Sequence, residues 1–263
     1  MIQKFPLRKI AHTVLLGIFF ISCNNAQQGK NDDANFVVKE QKADTANWIK
    51  TPNQFKAMYL AKRHPSLNRD AFLARWRMHG AKAMSSAFWK NTLVYVQAEP
   101  VIISGFSDEY DAVSYNTKRI IPSDSLKRKV SSPDEERDKK MIAEDELKTF
   151  ATPIKPDRLF FADEYILKDG EPGGITVYLF FKNLSHAKSV AITCQEMDNA
   201  TRIVFNTKRD DPNSLLPYEA IVEVTSGKQE DLIHFFNTKK DLIQYADVAV
   251  IAKESVLWDR SEH

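Results

Sequence analysis

The sequence predicts an α+β fold in which two tandem ferredoxin-like β-α-β-β-α-β units form a pseudo-dimeric α+β barrel. The first observation is the order of strand-like and helix-like stretches, which occurs once in each half of the chain. The second is a packing requirement, because a four-stranded antiparallel sheet with both helices on one face must bury its other face. Two such sheets in one chain can pack against each other. Two barrels in a homodimer, or two independent domains, would also satisfy the pattern.

Residues 48–169 contain the first predicted unit. Pro65 ends the preceding strand. Asn68 then is the expected N-cap of a helix over 69–84, because asparagine is a preferred capping residue. Ser132 is expected to begin the second helix, with proline at its first position and acidic residues in its first turn. Helical spacing places four side chains on one face of the first helix: Phe72, Trp76, His79 and Ala83. The predicted strands are 55–63, 91–103, 110–116 and 158–168.

Residues 173–259 repeat the order of elements as a second, divergent unit. A helix is predicted to start at Ser185, and a longer helix is predicted over 228–246. The predicted strands are 173–183, 201–211, 217–227 and 248–259. Direct similarity between the halves is slight. The stretches SYNTK (114–118) and VFNTK (204–208) suggest a correspondence between two strands.

Residues 1–22 are predicted to be a signal peptide. Basic residues precede the apolar run VLLGIFFIS, which is too short to span a bilayer. The residues before Cys23 resemble a bacterial lipobox, which implies cleavage there and lipidation of Cys23. Two or three acyl chains would anchor the protein stably. The expectation is a lipoprotein of the bacterial cell envelope, on the outer membrane, with a polar, flexible tether over 23–47. The alternative is a plain secreted protein.

Composition excludes several classes of function. The chain has 37 Lys and Arg against 35 Asp and Glu, and three of the basic residues belong to the predicted signal peptide. The remainder is therefore close to neutral, without a basic patch, so nucleic acid is not an expected partner. Lipidation would use one of the two cysteines and leave Cys194, which is expected to be a buried core thiol. There is no His/Cys spacing typical of zinc, so no metal site is predicted, and no cofactor is expected.

Residues 53–168 resemble the EthD-type domains of the dimeric α+β barrel superfamily. In LAKRHPSLNRDAFLARWRMHG a strand and a basic-Pro turn lead into F-x-x-x-W and a histidine. EYDAVSYNT resembles the third strand of the family. AEDELKTFATPIKPDRLFFADEYIL resembles its acidic helix end, which leads into the last strand. The resemblance implies a small, mostly apolar or aromatic ligand between sheet and helices. Superfamily members include lyase-like enzymes, isomerases, cofactor-free monooxygenases and haem-binding enzymes. His79 lies three residues after Trp76, where the family usually has four.

His79 is the candidate catalytic residue, because an imidazole with a pKa of about 6.5 can both accept and release a proton. Trp76 would form a wall of the ligand pocket. The alternative is that His79 is stabilised by the helix dipole and that Trp76 is part of the core. The strand residues expected to bind ligand are Tyr59, Tyr95, Asp111 and Tyr165, and Ser114 and Asp163 could face the same pocket. Asp111 could instead be the partner of a loop or an arginine.

Two functional hypotheses follow. The first is a membrane-anchored enzyme of lyase, isomerase or cofactor-free oxidoreductase type, acting on a small apolar or aromatic molecule through His79. The second is a non-catalytic ligand-binding or structural lipoprotein with the same fold. Among the other histidines, His64 beside Pro65 is expected to be a solvated turn residue, and His186 and His234 show no metal-ligand spacing. The sequence is compatible with a monomeric pseudo-dimer or with a homodimer.

Overall fold

The computed structural model describes residues 45, 47–120, 132–209 and 214–260, so the predicted signal peptide, Cys23 and nearly all of the predicted tether lie outside the described residues. The described strands are β1 (Ile49–Lys50), β2 (Gln54–Ala61), β3 (Thr92–Pro100), β4 (Ala112–Arg119), β5 (Phe160–Lys168), β6 (Gly174–Phe181), β7 (Ala200–Lys208), β8 (Ala220–Ser226) and β9 (Val248–Asp259). The α-helices are α1 (Arg69–Met84), α2 (Pro133–Thr149), α3 (Leu184–Cys194), α4 (Gln229–Thr238) and α5 (Asp241–Gln244). Within these ranges, no helix is both long and apolar enough to cross a bilayer.

Eight antiparallel strands, β2 to β9, close into a barrel, and the short β1 pairs with β5 beside it. The first unit has the strand order β5-β2-β4-β3 and the second has β9-β6-β8-β7, which is the same order within each unit. The contacts β3–β9 and β5–β7 join the two sheets. The predicted pseudo-dimeric α+β barrel is therefore confirmed. One chain closes it, without a second copy.

The predicted helix starts in the first unit are confirmed by their capping contacts. The Asn68 side chain accepts a hydrogen bond from the backbone N–H of Ala71 at 2.8 Å. At the start of α2, the Ser132 hydroxyl accepts from Glu135 N, and the Glu135 carboxylate accepts from Ser132 N, which forms a complete capping box. In the second unit, α3 begins at Leu184 with Asn183 as its cap, one residue before the predicted start.

Two sequence predictions for the second unit were wrong. The long helix predicted over 228–246 is split into α4 and α5, because Lys239 has non-helical backbone angles (φ −120°, ψ 54°) that end α4. The suggested correspondence of SYNTK with VFNTK also fails. SYNTK lies in β4, the third strand of its unit, whereas VFNTK lies in β7, the second strand of its unit. The shared letters therefore mark no equivalent position.

Helices cover the outer face of each sheet. In the second unit, buried apolar side chains from β6, β7 and β8 pack against α3 and α4 in one cluster. Cys194 is fully buried in this cluster, and burial raises the pKa of its thiol far above the ordinary value. The expectation that Cys194 fills the core is confirmed, and its thiol is a poor nucleophile.

The barrel interior holds a buried ionic network in addition to apolar side chains. Lys56 from β2 pairs with Glu223 from β8 at 2.9 Å, and it also pairs with Glu164 from β5. Arg202 from β7 lies 3.1 Å from Glu223 and 3.4 Å from Glu164. Asn206 donates to Glu223 at 2.8 Å. We call these five residues the interior network. It links both units, because Lys56 and Glu164 belong to the first and the others to the second.

Candidate functional site

Helix α1 lies unusually close to strand β3 at Gly80. A Cβ atom there would come within 2.8 Å of Gln97 Nε2 and 3.1 Å of Tyr95 Cε1. Gly80 therefore allows the close approach that brings the buried face of α1 onto the sheet. The predicted face is confirmed, since its side chains are buried: Phe72, Trp76, His79 and Ala83.

His79 is held by a carboxylate of the neighbouring helix. Its Nδ1 lies 3.0 Å from Asp145 Oδ2 on α2, and both side chains are buried. Asp145 also pairs with Arg75 at 3.0 Å and with Lys82. Burial would raise the pKa of Asp145, but its bonds with Lys82 and His79 lower it below the ordinary value. Asp145 is therefore a carboxylate that fixes the orientation of the imidazole and its tautomer.

The pKa of His79 is lowered from 6.5, chiefly by burial. The hydrogen bond and charge of Asp145 act in the opposite direction, while the cations Lys82 and Arg75 lower the pKa further. The imidazole is therefore neutral at neutral pH. Because Nδ1 faces Asp145, Nε2 is the nitrogen that could accept a proton from a bound molecule.

Replacing Asp145 with asparagine should lower the pKa of His79 further, because the carboxylate is the group that raises it. In the wild-type protein we expect His79 to titrate below pH 6.5. The measurement is a pH titration of the histidine ring signals by heteronuclear NMR. Glu144→Gln, on the exposed face of α2, is the matched control and should leave the titration of His79 unchanged. A higher pKa of His79 in Asp145→Asn would contradict the assignment.

An aromatic cluster surrounds the pair. Trp76 Nε1 donates to the Tyr59 hydroxyl at 3.1 Å, and the Trp76 ring stacks on Phe72 with centroids 5.7 Å apart. Phe150, which follows α2, contacts Tyr59 and His79 edge-on, with centroids 6.0 and 5.4 Å apart. The predicted residues Trp76, Tyr59 and His79 thus lie together around Phe150.

Tyr95 joins the same region through Gln97. The Gln97 amide donates to the Tyr95 hydroxyl at 2.9 Å and to the Trp76 carbonyl at 3.0 Å. Arg77 donates to the Gln97 oxygen at 2.8 Å. Burial raises the pKa of Tyr95, so its phenol stays protonated and can act as a hydrogen-bond donor. Sequence reasoning missed Gln97, because period-two alternation shows which face it occupies but not its partners.

The structure does not bring Asp111 and Tyr165 to this cluster. Asp111 accepts from the backbone N–H of Arg63 at 2.9 Å and pairs with its guanidinium. This agrees with the alternative prediction that Asp111 is the partner of an arginine. Tyr165 lies on the outer face of β5 and packs near Phe205 of the second unit, with centroids 6.4 Å apart. Asp163, on the same face, pairs with Lys50 at 2.7 Å. β5 carries these side chains away because it pairs with β7, so its outer face lies beside the second unit.

A cavity of about 330 Å³ lies at the edge of the aromatic cluster. Its lining includes Ala61 and Ile154, which pack against the same cluster as Tyr59 and Trp76. Glu146 lies beside it, because its carboxylate accepts from the backbone N–H of Ile154 at 3.0 Å. Burial raises the pKa of Glu146 to about 7. Glu146 is thus a second group that can exchange protons near neutral pH. In sequence it is one of many acids on α2.

The described residues around His79 offer no candidate metal site. The described part of the chain contains no group of three or more His, Cys, Asp or Glu side chains arranged to hold a metal ion. Asp145, the acid nearest to His79, already has cationic partners.

The closed barrel defines the class of this protein: it has the dimeric α+β barrel fold. No family model matches the sequence, and no curated protein matches it. Among solved structures, an anthrone oxidase-like protein matches with a TM-score of 0.50 at 8% identity, over 80% of this chain and 96% of its own. A heme-binding protein from Thermus thermophilus matches with a TM-score of 0.44 at 9% identity, over 79% and 93%. A mutant chlorite dismutase from Candidatus Nitrospira defluvii matches with a TM-score of 0.42 at 10% identity, over 77% and 91%. At 8% identity the match to the anthrone oxidase-like protein defines the fold alone.

Proposed function

We propose that this protein is an EthD-like α+β barrel enzyme whose first unit removes a proton from a small apolar or aromatic molecule. The observation that carries the proposal is the buried pair of His79 and Asp145 at 3.0 Å, within an aromatic cluster. A neutral imidazole oriented by a carboxylate is a common general base. The three reaction types considered, lyase, isomerase and cofactor-free oxidoreductase, share this first step.

The roles follow from the geometry. His79 Nε2 accepts a proton from carbon, and Asp145 stabilises the imidazolium that forms. Tyr95 and Tyr59 are protonated phenols that can donate to an oxygen on which negative charge develops. Trp76 and Phe150 form apolar walls. Glu146 is the candidate for exchanging the proton with solvent, through the cavity beside Ile154.

Anthrone is a suitable first probe, because it is an aromatic ketone with an acidic carbon and the solved anthrone oxidase-like protein shares the fold. Removal of the proton leaves a stabilised carbanion, which reacts with dioxygen and takes the proton back to give anthraquinone and water. The test is oxygen consumption by the purified protein above the uncatalysed rate. Any molecule that co-purifies with the protein is identified by mass spectrometry and tested as a further substrate. Absence of turnover with anthrone and with every co-purified molecule would reject the enzyme hypothesis.

Haem chemistry is not part of the proposal, because the described residues do not fit a haem group. His186 and His234 are exposed on α3 and α4, and the apolar cluster beneath those helices is closely filled. His64 bonds to Ser66, and His79 to Asp145. A bond from the other ring nitrogen to a carboxylate is common in histidines that ligate a metal, so the contact with Asp145 does not exclude His79. The closed packing does, because Phe72 and Trp76 beside it are 0% exposed and leave no space for a porphyrin.

A second candidate is a non-catalytic ligand-binding or structural lipoprotein. The observation that favours it is the closure of the cluster, since Phe72 and Trp76 are 0% exposed and His79 is 6% exposed. A closed cluster admits a ligand only if side chains such as Phe150 move. A molecule that co-purifies with the protein without being converted would support this candidate.

We also propose that a lipid on Cys23 anchors the protein to the envelope, on the outer membrane. The support is the basic and apolar leader followed by the lipobox-like residues. Cells grown with an alkyne-tagged fatty acid should label the wild-type protein, whereas Cys23→Ala should abolish the label. Cys194→Ala is the control and should keep it, because Cys194 is buried in the folded protein. Equal labelling of Cys23→Ala would reject the anchor.

A further inference from the structure

A basic cleft lies at the end of the barrel where β2 begins and β4 ends. Two adjoining cavities of about 450 and 220 Å³ share three lining residues, Leu93, Arg119 and Arg260. Lys90 adds a third cation to the lining of the smaller cavity. We define the basic cleft by these four residues together with Pro52, Asn53, Gln54 and Ile120 of the larger cavity.

The charge on the lining of the cleft is positive. Among the described residues, no acidic side chain lines either cavity, whereas Lys90, Arg119 and Arg260 do. Asp259 precedes Arg260 but lies opposite Val94 in the β3–β9 ladder and lines neither cavity. Neighbouring cations in a lining of this kind create a potential that attracts an anion.

The cleft is preorganised by its own backbone and by one tryptophan. The Arg260 guanidinium lies 4.4 Å from the ring centroid of Trp258, and Arg260 N donates to Leu93 O at 2.8 Å. Trp258 is fixed in turn by donation to the Thr92 carbonyl at 3.2 Å. On the opposite side, Asn53 has a left-handed φ of 55°, and its carbonyl accepts from Ile120 N at 2.7 Å. A guanidinium that already stacks on a ring loses less conformational freedom on binding a ligand than one that is free to move.

The remaining lining identifies the chemistry of the ligand. Arginine forks match the oxygens of a carboxylate or a phosphate. Pro52, Leu93 and Ile120 offer apolar surface beside them, and Gln54 offers an amide. We infer that the basic cleft binds an amphiphilic oxyanion, with a carboxylate or phosphate head on Arg119 and Arg260 and an apolar body against Leu93 and Ile120.

This site is independent of the proposed enzymatic function, since neither His79 nor Asp145 lines it. The source of the head group is either a free small molecule or a membrane lipid, and both present the same oxyanion.

The test is calorimetric titration of the purified full chain with octyl phosphate and octanoate, below their micelle concentrations. Both should bind saturably and more tightly than inorganic phosphate, and octyltrimethylammonium should not bind. Arg119→Glu and Arg260→Glu should each raise the dissociation constant at least tenfold. Arg158→Glu is the matched control, because Arg158 is an exposed arginine that lines the other cavity. His79→Gln should bind like the wild type.

Folding of each variant is checked by circular dichroism, and Arg119→Lys, which keeps the charge without the fork, should bind with intermediate affinity. No binding of either octyl anion, wild-type binding by both charge reversals, or equal binding of the octyl cation would overturn the inference. Phosphatidylglycerol vesicles distinguish the sources. Competition between vesicles and octyl phosphate indicates a lipid head group, whereas octyl phosphate binding without vesicle binding indicates a free molecule.

Discussion

Replacement of Glu223 by glutamine is expected to lower the free energy of unfolding by about 3–5 kcal/mol. Glu223 is completely buried and accepts from Lys56, Arg202 and Asn206 at distances between 2.8 and 3.1 Å. Glutamine has the same size, so the change removes charge and leaves the packing. Lys56 and Arg202 would then share Glu164 as their remaining carboxylate in the network. An uncompensated buried cation costs far more than the lost attraction of an exposed pair.

Urea unfolding followed by circular dichroism measures the effect. Glu196→Gln is the control, because Glu196 pairs with Lys239 at 2.6 Å on the surface and an exposed pair contributes little. The double variant Lys56→Met with Glu223→Gln should lose less stability than the sum of the single changes, because it removes both charges of one pair. A loss for Glu223→Gln as small as that for Glu196→Gln would show that the network is solvated or adaptable.

The interior network also shows where sequence reasoning ends. Alternation in β2 places Lys56 on one face and Tyr59 on the other, and this assignment is correct. A lysine within an apolar strand is expected to reach solvent. Lys56 is instead fully buried, because barrel closure brings it to Glu223, 167 residues later in the chain. The order of elements could be predicted from local patterns, whereas the pairing of charges depends on which faces meet inside the closed barrel.

In the candidate site, too, some contacts could be predicted from the sequence and others could not. Spacing within α1 predicted that Trp76 and His79 share a face, since both residues belong to one helix. Asp145 lies 66 residues after His79 and could not be distinguished from the other acids of α2. Tyr165 was assigned from its strand, but a strand alone does not reveal which helices cover its outer face. Contacts within one element follow from the sequence pattern, and contacts between elements require the packed structure.

The second large effect concerns turnover. If His79 is the general base, His79→Gln should lower the rate of oxygen consumption with the aromatic ketone probe by about 100-fold or more. Glutamine keeps a polar side chain of similar length but cannot accept a proton at neutral pH. His186→Gln is the matched control, because His186 is exposed on α3, and it should retain full activity. Unchanged turnover in a folded His79→Gln protein would show that His79 is structural.

The pH profile separates chemistry from folding. Since the pKa of His79 is lowered from 6.5, the fall in wild-type rate that follows protonation of its imidazole should lie below pH 6.5. It is thereby separate from any change near pH 7 that comes from Glu146, whose pKa is about 7. Asp145→Asn should move this acid limb to lower pH, because it removes the group that raises the pKa of His79. It should also reduce the plateau, because the imidazolium formed in the reaction loses its carboxylate partner. A residue that only supports the fold would change the amount of active protein without moving the limb. A limb at the same pH in Asp145→Asn and the wild type would therefore remove Asp145 from the proposed pair.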